Sequence, residues 1–281
     1  MKLIILSFTF LTTIGANAQK LHANLFAGTS NYQGDLQDKR LTFNQSHFAV
    51  GAGLSYELTE KILLNGGVTF GKVSADDKNN KKNTLRNLNF SSGLTEGHLT
   101  AEYYFRNLYD YSFSPYVFAG IAVYHFNPYT RDSIGNKYFL KPLSTEGQGF
   151  LQNKKPYNLT QLAIPFGGGV KFVLNDNVRL GVEVGMRKLF TDYLDDVSSN
   201  YVDQNLLLQN RGPKAVELAF REGELKNGSV YPAAGSKRGG PTVKDWYYFT
   251  GLTASFRIGS GGGGGSNGKF KSSTGCPAKV Y

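Results

Sequence analysis

Three aspartates lie close together in the stretch TDYLDDVS, at Asp192, Asp195 and Asp196, and they are the first candidates for chemistry in this sequence. Carboxylate oxygens are the ligands that hard cations prefer. The stretch lacks, however, the glycine and the closing glutamate of an EF-hand calcium loop. We therefore expect no metal site here.

Acid–base catalysis would need a histidine and a carboxylate within hydrogen-bond reach of a nucleophile or a water. His47 and His125 could be combined with Asp192, but nothing in their spacing assembles such a group. The sequence also contains no phosphate-binding loop and no zinc-ligand spacing. These observations predict a protein that is not an enzyme and that carries no cofactor.

The first residues, MKLIILSFTFLTTIGANA, are typical of a secretory signal. Lys2 precedes an apolar run that ends near Ile14, and small residues occupy positions 16 and 18. We expect cleavage after Ala18, so that residues 1–18 form the signal peptide. The net charge of +10 is typical of a protein that binds nucleic acid, an anionic membrane surface or acidic glycans, and the export signal argues against nucleic acid.

The apolar residues of the remaining chain repeat with a period of two, which is the period of a β-strand. In HFAVGAGLSYEL, for example, Phe48, Val50 and Leu54 share one face, whereas Gly51 and Glu57 share the other. Eight segments show this pattern, and each is long enough for a tilted strand to cross a bilayer. They span approximately residues 21–34, 47–58, 62–73, 88–105, 114–127, 159–173, 178–192 and 245–258.

The connectors between these segments alternate in length. Those at 59–61, 106–113 and 174–177 are short, and those at 35–46, 74–87, 128–158 and 193–244 are long. Short turns at one end and long loops at the other are typical of bacterial outer-membrane barrels. The sequence therefore predicts an all-β fold, an eight-stranded antiparallel transmembrane β-barrel over residues 19–259, with both termini in the periplasm and the long loops outside the cell. A soluble β-sandwich is the alternative.

Charged residues fall on the face of the strands opposite to the apolar one. An eight-stranded barrel has an interior just wide enough for side chains, so we expect these charges to pair inside a plugged lumen and not to line a pore. The predicted lumen charges are Glu57, Glu102, Lys171, Arg179, Glu183, Arg187 and Arg257. In the longest loop, Pro213 indicates a helix start and Gly228 a helix stop.

Residues 260–281 form a glycine-rich tail that carries Cys276, the one cysteine of the chain. A flexible tail of this length reaches about 20–25 Å into the periplasm. An odd thiol in an oxidising compartment indicates an intermolecular disulfide. We expect Cys276 to bond a periplasmic partner, with docking contacts from Lys269, Phe270, Lys271 and Tyr281. An incidental tail and an added linker are the alternatives.

Two stretches, AGTSNYQGDL and LFTDYLDDVS, are similar to motifs of PorG-like outer-membrane proteins of Bacteroidota. The strand number, the stretch SPYVFAGIAVYHFNP and a basic tail with a cysteine also resemble that family. The resemblance implies a component of the type IX secretion and gliding machinery, which serves a periplasmic ring lipoprotein and its partner. It marks Asn31, Gly34, Asp35, Asp192 and Asp195 as family-characteristic, structural residues near the outer rim.

The main hypothesis is therefore a non-enzymatic outer-membrane barrel, in contact with outer-membrane lipid, that anchors a periplasmic secretion or gliding complex. One alternative is a hydrolase at the outer rim, which a converging His125–Asp192 pair with a nucleophile would favour. Another is a surface adhesin or ligand receptor that uses the loops 128–158 and 193–244.

Overall fold

The computed structural model describes residues 20–258, apart from 38–41, 43–44, 80–82, 84, 226–227 and 229. The predicted signal peptide and the tail with Cys276, Lys269, Phe270, Lys271 and Tyr281 lie outside the described residues. Among the described residues, no helix is both long and apolar enough to cross a membrane.

Eight long strands occupy the positions at which the period-two pattern predicts them. The ten strands of the structure, two of them short, are β1 (Leu21–Gln33), β2 (His47–Glu57), β3 (Ile62–Asp76), β4 (Asn89–Tyr104), β5 (Phe113–Phe126), β6 (Tyr129–Arg131), β7 (Lys137–Phe139), β8 (Thr160–Asn175), β9 (Val178–Leu189) and β10 (Trp246–Ile258).

The eight long strands close into a barrel. Every neighbouring pair is antiparallel, β1 pairs with β10, and β3 pairs with β4, so that the sheet has no free edge among the long strands. Leu21 lies opposite Ile258, and this register brings the two ends of the described chain to the same end of the barrel. The fold prediction is confirmed: the protein is a closed, eight-stranded antiparallel β-barrel.

The outer face of the barrel is an apolar belt. Side chains that point outward are about half exposed although they are hydrophobic, which in a folded protein indicates that they face lipid. They include Leu25, Val50, Leu54, Val68, Leu99, Ile121, Leu162, Val182 and Leu252. Tyr103 and Phe105 extend the belt as an aromatic pair near the short turns.

The long-loop end is more ordered than the sequence indicates. The strands β6 and β7 form a small hairpin that continues the sheet beside β4, where Tyr129 lies opposite Ser91. Two helices, α1 (Gln204–Arg211) and α2 (Pro213–Ala219), form part of the longest loop. The predicted helix start at Pro213 is correct, but the predicted end near Gly228 is wrong, since α2 ends nine residues earlier at Ala219.

Inside the barrel, glycines make room for large rings. The ring of Phe26 lies over the paired residues Gly28 and Gly251, where an added Cβ would meet its Cζ atom at 2.9 Å in either case. Both positions therefore need glycine because of this close approach, and the inward face can hold a bulky ring there.

Candidate functional site

The lumen near the short turns is closed by an ionic cluster around Glu57. Its carboxylate contacts Nε2 of His22 at 3.0 Å and accepts a hydrogen bond from Nη1 of Arg179 at 2.7 Å. The hydroxyl of Tyr109, from the β4–β5 turn, also donates to Glu57, and Arg257 donates to Tyr109 at 3.3 Å. The turn thus covers this end of the barrel with its own side chain.

A second cluster lies above it and is centred on Glu102. The Glu102 carboxylate accepts hydrogen bonds from Tyr104 at 2.6 Å and Asn65 at 3.0 Å, and its Oε2 lies 3.5 Å from Nζ of Lys171. Glu183 is different: Tyr116 donates to it at 2.6 Å, but among the described residues no cation lies within ion-pair distance of its carboxylate. A neutral hydroxyl is its partner instead of a base.

The strongest lumen pair joins Arg187 to Glu96, a residue that the sequence did not single out. Arg187 donates through Nε at 2.9 Å and Nη2 at 3.0 Å, and Tyr247 donates to the same carboxylate at 2.6 Å. The exposed fraction of Glu96 is 0%. Bidentate geometry with full burial makes this pair the most strongly held charge in the lumen.

These side chains leave little free space. A cavity of about 60 Å³ lies between the Glu102 and Glu96 levels, lined by Asn24, Asn65, Thr100 and Thr253 among others. This volume suits a few waters. All seven predicted lumen charges, Glu57, Glu102, Lys171, Arg179, Glu183, Arg187 and Arg257, lie on inward-facing positions of their strands.

An aromatic layer lies above the Glu96 level. Tyr124 stacks on Phe126 with ring centroids 5.5 Å apart, and Tyr247 packs edge-on against Tyr124 at the same distance. Phe249 and Phe90 belong to the same buried cluster. The rings of this layer are close-packed, and they lie between the lumen charges and the long loops.

The two family-characteristic stretches meet above this aromatic layer. The hydroxyl of Tyr32, at the end of β1, donates to Asp195 at 2.5 Å and to Asp245 at 3.2 Å. Asp245 also accepts from the backbone N–H of Leu194 at 2.9 Å. One tyrosine therefore ties the first and last strands of the barrel to the loop that connects β9 and β10.

A second group of charges extends this arrangement. Arg238 donates to Glu146 at 2.9 Å and to the backbone oxygen of Asp196 at 2.6 Å. Glu146 also accepts from the backbone N–H of Ser198 at 2.9 Å, and Asp196 accepts from Tyr157 at 2.8 Å. We call the whole buried layer the cap. It consists of Tyr32, Asp35, Glu146, Tyr157, Asp192, Asp195, Asp196, Arg238 and Asp245.

The other predicted family residues support the cap from its rim. Oδ2 of Asp35 accepts from the backbone N–H of Gly240 at 2.8 Å, which fixes the end of the longest loop. The side-chain oxygen of Asn31 accepts from Ser46 at 2.5 Å. Gly34 accepts from the backbone N–H of Gln37 at 3.1 Å and lies beside Tyr32 and Asp245. Each of these contacts is structural.

The cap holds more carboxylates than cations, and this is visible in their pKa values. Burial raises the pKa of Asp192 to about 7. Burial also raises the pKa of Asp196 to about 6, against the lowering effect of Arg238. Burial and the nearby charge of Asp35 raise the pKa of Asp195. Burial and the nearby charge of Asp195 raise the pKa of Asp245.

Glu146 is the exception within the cap. Burial alone would raise the pKa of Glu146, but the Arg238 guanidinium and the hydrogen bonds from Ser199 and Ser198 lower it. Burial alone would lower the pKa of Arg238, and the charges of Glu146 and Asp196 raise it. This pair stays ionised, whereas the aspartates around it keep their protons to a higher pH than free aspartates do.

The rim histidines do not form a catalytic group with Asp192. His125 lies on the outer face and contacts Thr160 at 2.9 Å, whereas Asp192 is buried in the cap. The ring of His47 contacts Ser74 at 2.6 Å, but among the described residues no carboxylate lies within ion-pair distance of that ring. In the part of the chain that the structure describes, no cluster of three metal-ligating side chains occurs.

Tyr248, on the outward face of β10, does not belong to the apolar belt. Its exposed fraction is 1%, because the β1–β2 loop covers it and its hydroxyl bonds the backbone of Thr42 in that loop. Trp246 packs against Phe166 with ring centroids 5.9 Å apart. Tyr248 is therefore a contact of the long loops and not a lipid anchor.

The chain is similar to several solved bacterial barrels. Neisserial surface protein A matches with 9% identity and a TM-score of 0.43, over 85% of this chain and 97% of that chain. The outer membrane protein OprG of Pseudomonas aeruginosa matches with 12% identity and a TM-score of 0.40, over 85% and 98%. The attachment invasion locus protein Ail of Yersinia pestis matches with 12% identity and a TM-score of 0.38, over 85% and 97%.

At such low identity and TM-score, these likenesses carry nothing about what this chain binds or does. A comparison with curated proteins gives no match. A family model described as a domain of unknown function, DUF6089, matches residues 1–210. Since this match covers β1 to β9 and most of the printed sequence, the chain belongs to the DUF6089 family.

Proposed function

We propose that this protein is a non-enzymatic outer-membrane barrel that anchors or supports a periplasmic assembly of the type IX secretion and gliding class. The observation that carries the anchoring role is the closed lumen. Charge clusters, an aromatic layer and the cap occupy successive levels of the barrel, so the interior has no continuous path for a solute. A plugged barrel is suited to hold something in place at the membrane.

The type IX assignment rests on the resemblance of AGTSNYQGDL and LFTDYLDDVS to PorG-like proteins. Both stretches contribute to the cap, which lies at the long-loop end. In the proposed orientation this end faces outward, and the short turns face the periplasm. The periplasmic contacts therefore come from those turns and from the tail that carries Cys276.

The β4–β5 turn offers the best partner surface among the described turns. Tyr111 is 51% exposed, and the Arg106 guanidinium lies over the rings of Tyr111 at 5.6 Å and Phe113 at 4.9 Å. Aromatic and arginine side chains are enriched where protein interfaces have their strongest contacts. This cluster would supplement the tail in holding a periplasmic ring lipoprotein.

The test is cross-linking and co-purification from detergent-solubilised outer membranes, followed by mass spectrometry. We compare the full chain, a chain truncated after Ile258, Cys276→Ser, and Arg106→Ala/Tyr111→Ala, with Tyr103→Phe as a control on the lipid-facing side. The proposal expects a periplasmic partner that the truncated chain or the turn variant loses and the control keeps. Retention of the same partners by all variants would contradict it.

The disulfide is tested in the same preparations. Nonreducing gels should show a species of higher mass that disappears on reduction and is missing in Cys276→Ser. If Cys276 is found free in the assembled complex, the tail does not bond covalently to its partner, and the turns remain the contact surface.

A surface receptor is the second candidate function, and a groove at the long-loop end favours it. The groove has a volume of about 600 Å³ and is lined by polar side chains such as Ser46, His47, Asn89 and Arg221. Replacing the 128–158 loop should then abolish ligand binding while the periplasmic partner is kept. Loss of the periplasmic partner alone would contradict this second function.

A further inference from the structure

Three cations and two aromatic rings share the outer face of the barrel immediately above the apolar belt. Lys72 is on β3, Arg131 is on β6, and Lys137 lies opposite Arg131 on β7. Tyr129 and Phe139 lie opposite each other on the same hairpin, next to the Arg131–Lys137 pair. We call these five residues the basic hairpin patch.

The register shows that the patch faces outward. Outward side chains on β3 alternate from Val68 through Phe70 to Lys72, and Phe70 is 53% exposed. Lys72 lies opposite Gly93 of β4, which has no side chain to block it, and the next outward position on β4 is Ser91, opposite Tyr129. The patch therefore follows directly on the lipid-facing surface.

The ring of Tyr129 contacts the ammonium groups of both Lys72 and Lys137. Nζ of Lys137 lies 3.9 Å from the ring centroid of Tyr129 and 4.5 Å from that of Phe139. Nζ of Lys72 approaches Tyr129 from its own strand at 5.8 Å. Cation–π contacts of this kind orient ammonium groups without neutralising their charge.

The charge of the patch is not balanced by neighbouring acids. Among the described residues, none of the three cations has a carboxylate within ion-pair distance, and Arg131 donates to the backbone oxygen of Gly135 at 2.7 Å. Asp76 is on the same face, and its Oδ1 accepts from the backbone of Lys78. Asp132 is buried and accepts from the backbone N–H of Asn136. Three cations facing a membrane surface attract anionic headgroups.

We propose that the basic hairpin patch binds the phosphate groups of a phosphorylated glycolipid in the outer leaflet. The cations would contact the phosphates, and the rings of Tyr129 and Phe139 would pack against the sugar and the start of the acyl chains. The occupant is a lipid and not a soluble anion because the patch continues the apolar belt without a break. The inference rests on membrane insertion with the long loops outward, but not on any periplasmic partner.

The test uses the full chain, purified in detergent and checked for heat-dependent gel mobility as a sign of a folded barrel. Native mass spectrometry measures binding of a diphosphorylated glucosamine-disaccharide lipid and of the same lipid after dephosphorylation. The variant is Lys72→Gln/Arg131→Gln/Lys137→Gln. The matched control, Lys155→Gln/Lys237→Gln/Lys244→Gln, removes the same charge from exposed loop positions away from the patch.

We expect the patch variant to bind the phosphorylated lipid at least about tenfold more weakly than wild type, because each of the three cations adds to the attraction for an anionic headgroup. The control should bind like wild type, and removing the phosphates should weaken wild-type binding to the level of the patch variant. Equal binding by the patch and control variants would overturn the proposal. So would equal binding of the two lipids, or competition by millimolar inorganic phosphate, which would indicate a soluble anion as the ligand.

Discussion

The lumen and the cap are both buried and both rich in carboxylates, but they neutralise their charge in different ways. In the lumen, Glu57, Glu96 and Glu102 each have a cation within ion-pair distance. In the cap, the aspartates outnumber the cations and rely on tyrosine hydroxyls and backbone N–H groups. The lumen therefore holds three of its carboxylates in fixed ion pairs, with Glu183 as the exception, whereas the cap is a layer of carboxylates that can gain or lose protons.

The largest effect should come from breaking the Glu96–Arg187 pair. Arg187→Leu leaves a fully buried carboxylate without its cation, at a cost of about 3–5 kcal/mol in the free energy of unfolding. Urea titration in detergent, followed by gel mobility, measures this. Arg257→Leu is the matched control, because Arg257 is partly exposed and bonds one hydroxyl, and should cost about 1 kcal/mol.

The same experiment distinguishes the lumen partners. Glu183 has a neutral partner, so Glu183→Gln should cost less than Glu96→Gln. Val184 faces lipid with 44% exposure, and Val184→Leu should be the mildest of the set. If Val184→Leu were the most damaging, the assignment of inward and outward faces on β9 would be wrong.

Tyr32→Phe should give an intermediate effect that is confined to the cap. The change removes the hydroxyl that Asp195 and Asp245 share, and one unsatisfied buried group costs about 1–3 kcal/mol. Limited proteolysis of intact cells should cut the 193–244 loop faster, while urea stability of the strands changes little. Tyr103→Phe, whose ring faces lipid, is the control and should leave the cleavage rate unchanged.

The pH dependence should separate the cap from the lumen. A buried aspartate with a raised pKa binds its proton more tightly in the folded state, so its contribution to stability is lost as pH rises from about 4 towards its folded pKa. For Asp192, whose pKa is raised to about 7, and Asp196, to about 6, the cap should loosen between pH 5 and pH 8. Glu146 has a lowered pKa, so its contribution to stability is lost only as the pH falls below the usual pKa of a glutamate.

Asp192→Asn tests this assignment with the smallest expected change. Because solvent screens part of its charge, the variant should protect the 193–244 loop against hydrogen exchange at pH 8 by only about 1 kcal/mol, and it should reduce the difference between pH 5 and pH 8. Hydrogen exchange of the loop at the two pH values measures it. If hydrogen exchange of the loop were slower at pH 8 than at pH 5, the cap would stabilise its carboxylates in the ionised form, which would contradict the raised pKa values.

The strands were predictable because their pattern is local. A period of two with lipid outside and charges inside shows directly in stretches such as HFAVGAGLSYEL, and β2 extends over His47–Glu57 as that pattern indicates. Glu96 was missed because its flanking outward positions are Thr95 and Gly97, so this part of β4 lacks the apolar residues that reveal the outer face.

The cap was not predictable beyond the presence of its motifs. Tyr32 and Asp195 are 163 positions apart in sequence, and Arg238 and Glu146 are 92 apart. No periodicity connects residues in different loops, and only closure of the barrel brings them together. The resemblance indicated that Asn31, Gly34, Asp35, Asp192 and Asp195 were structural, but it gave none of their partners.

The central claim is that the lumen of this barrel is sealed, and ion conductance across a planar bilayer tests it most directly. The full chain, inserted at a voltage of either sign, should give no steady open-channel current, because the Glu57, Glu102 and Glu96 clusters, the aromatic layer and the cap block the lumen at successive levels. The lumen variant Glu96→Ala/Arg187→Ala should raise at most brief openings. A stable ohmic channel in the unmodified protein would contradict the account.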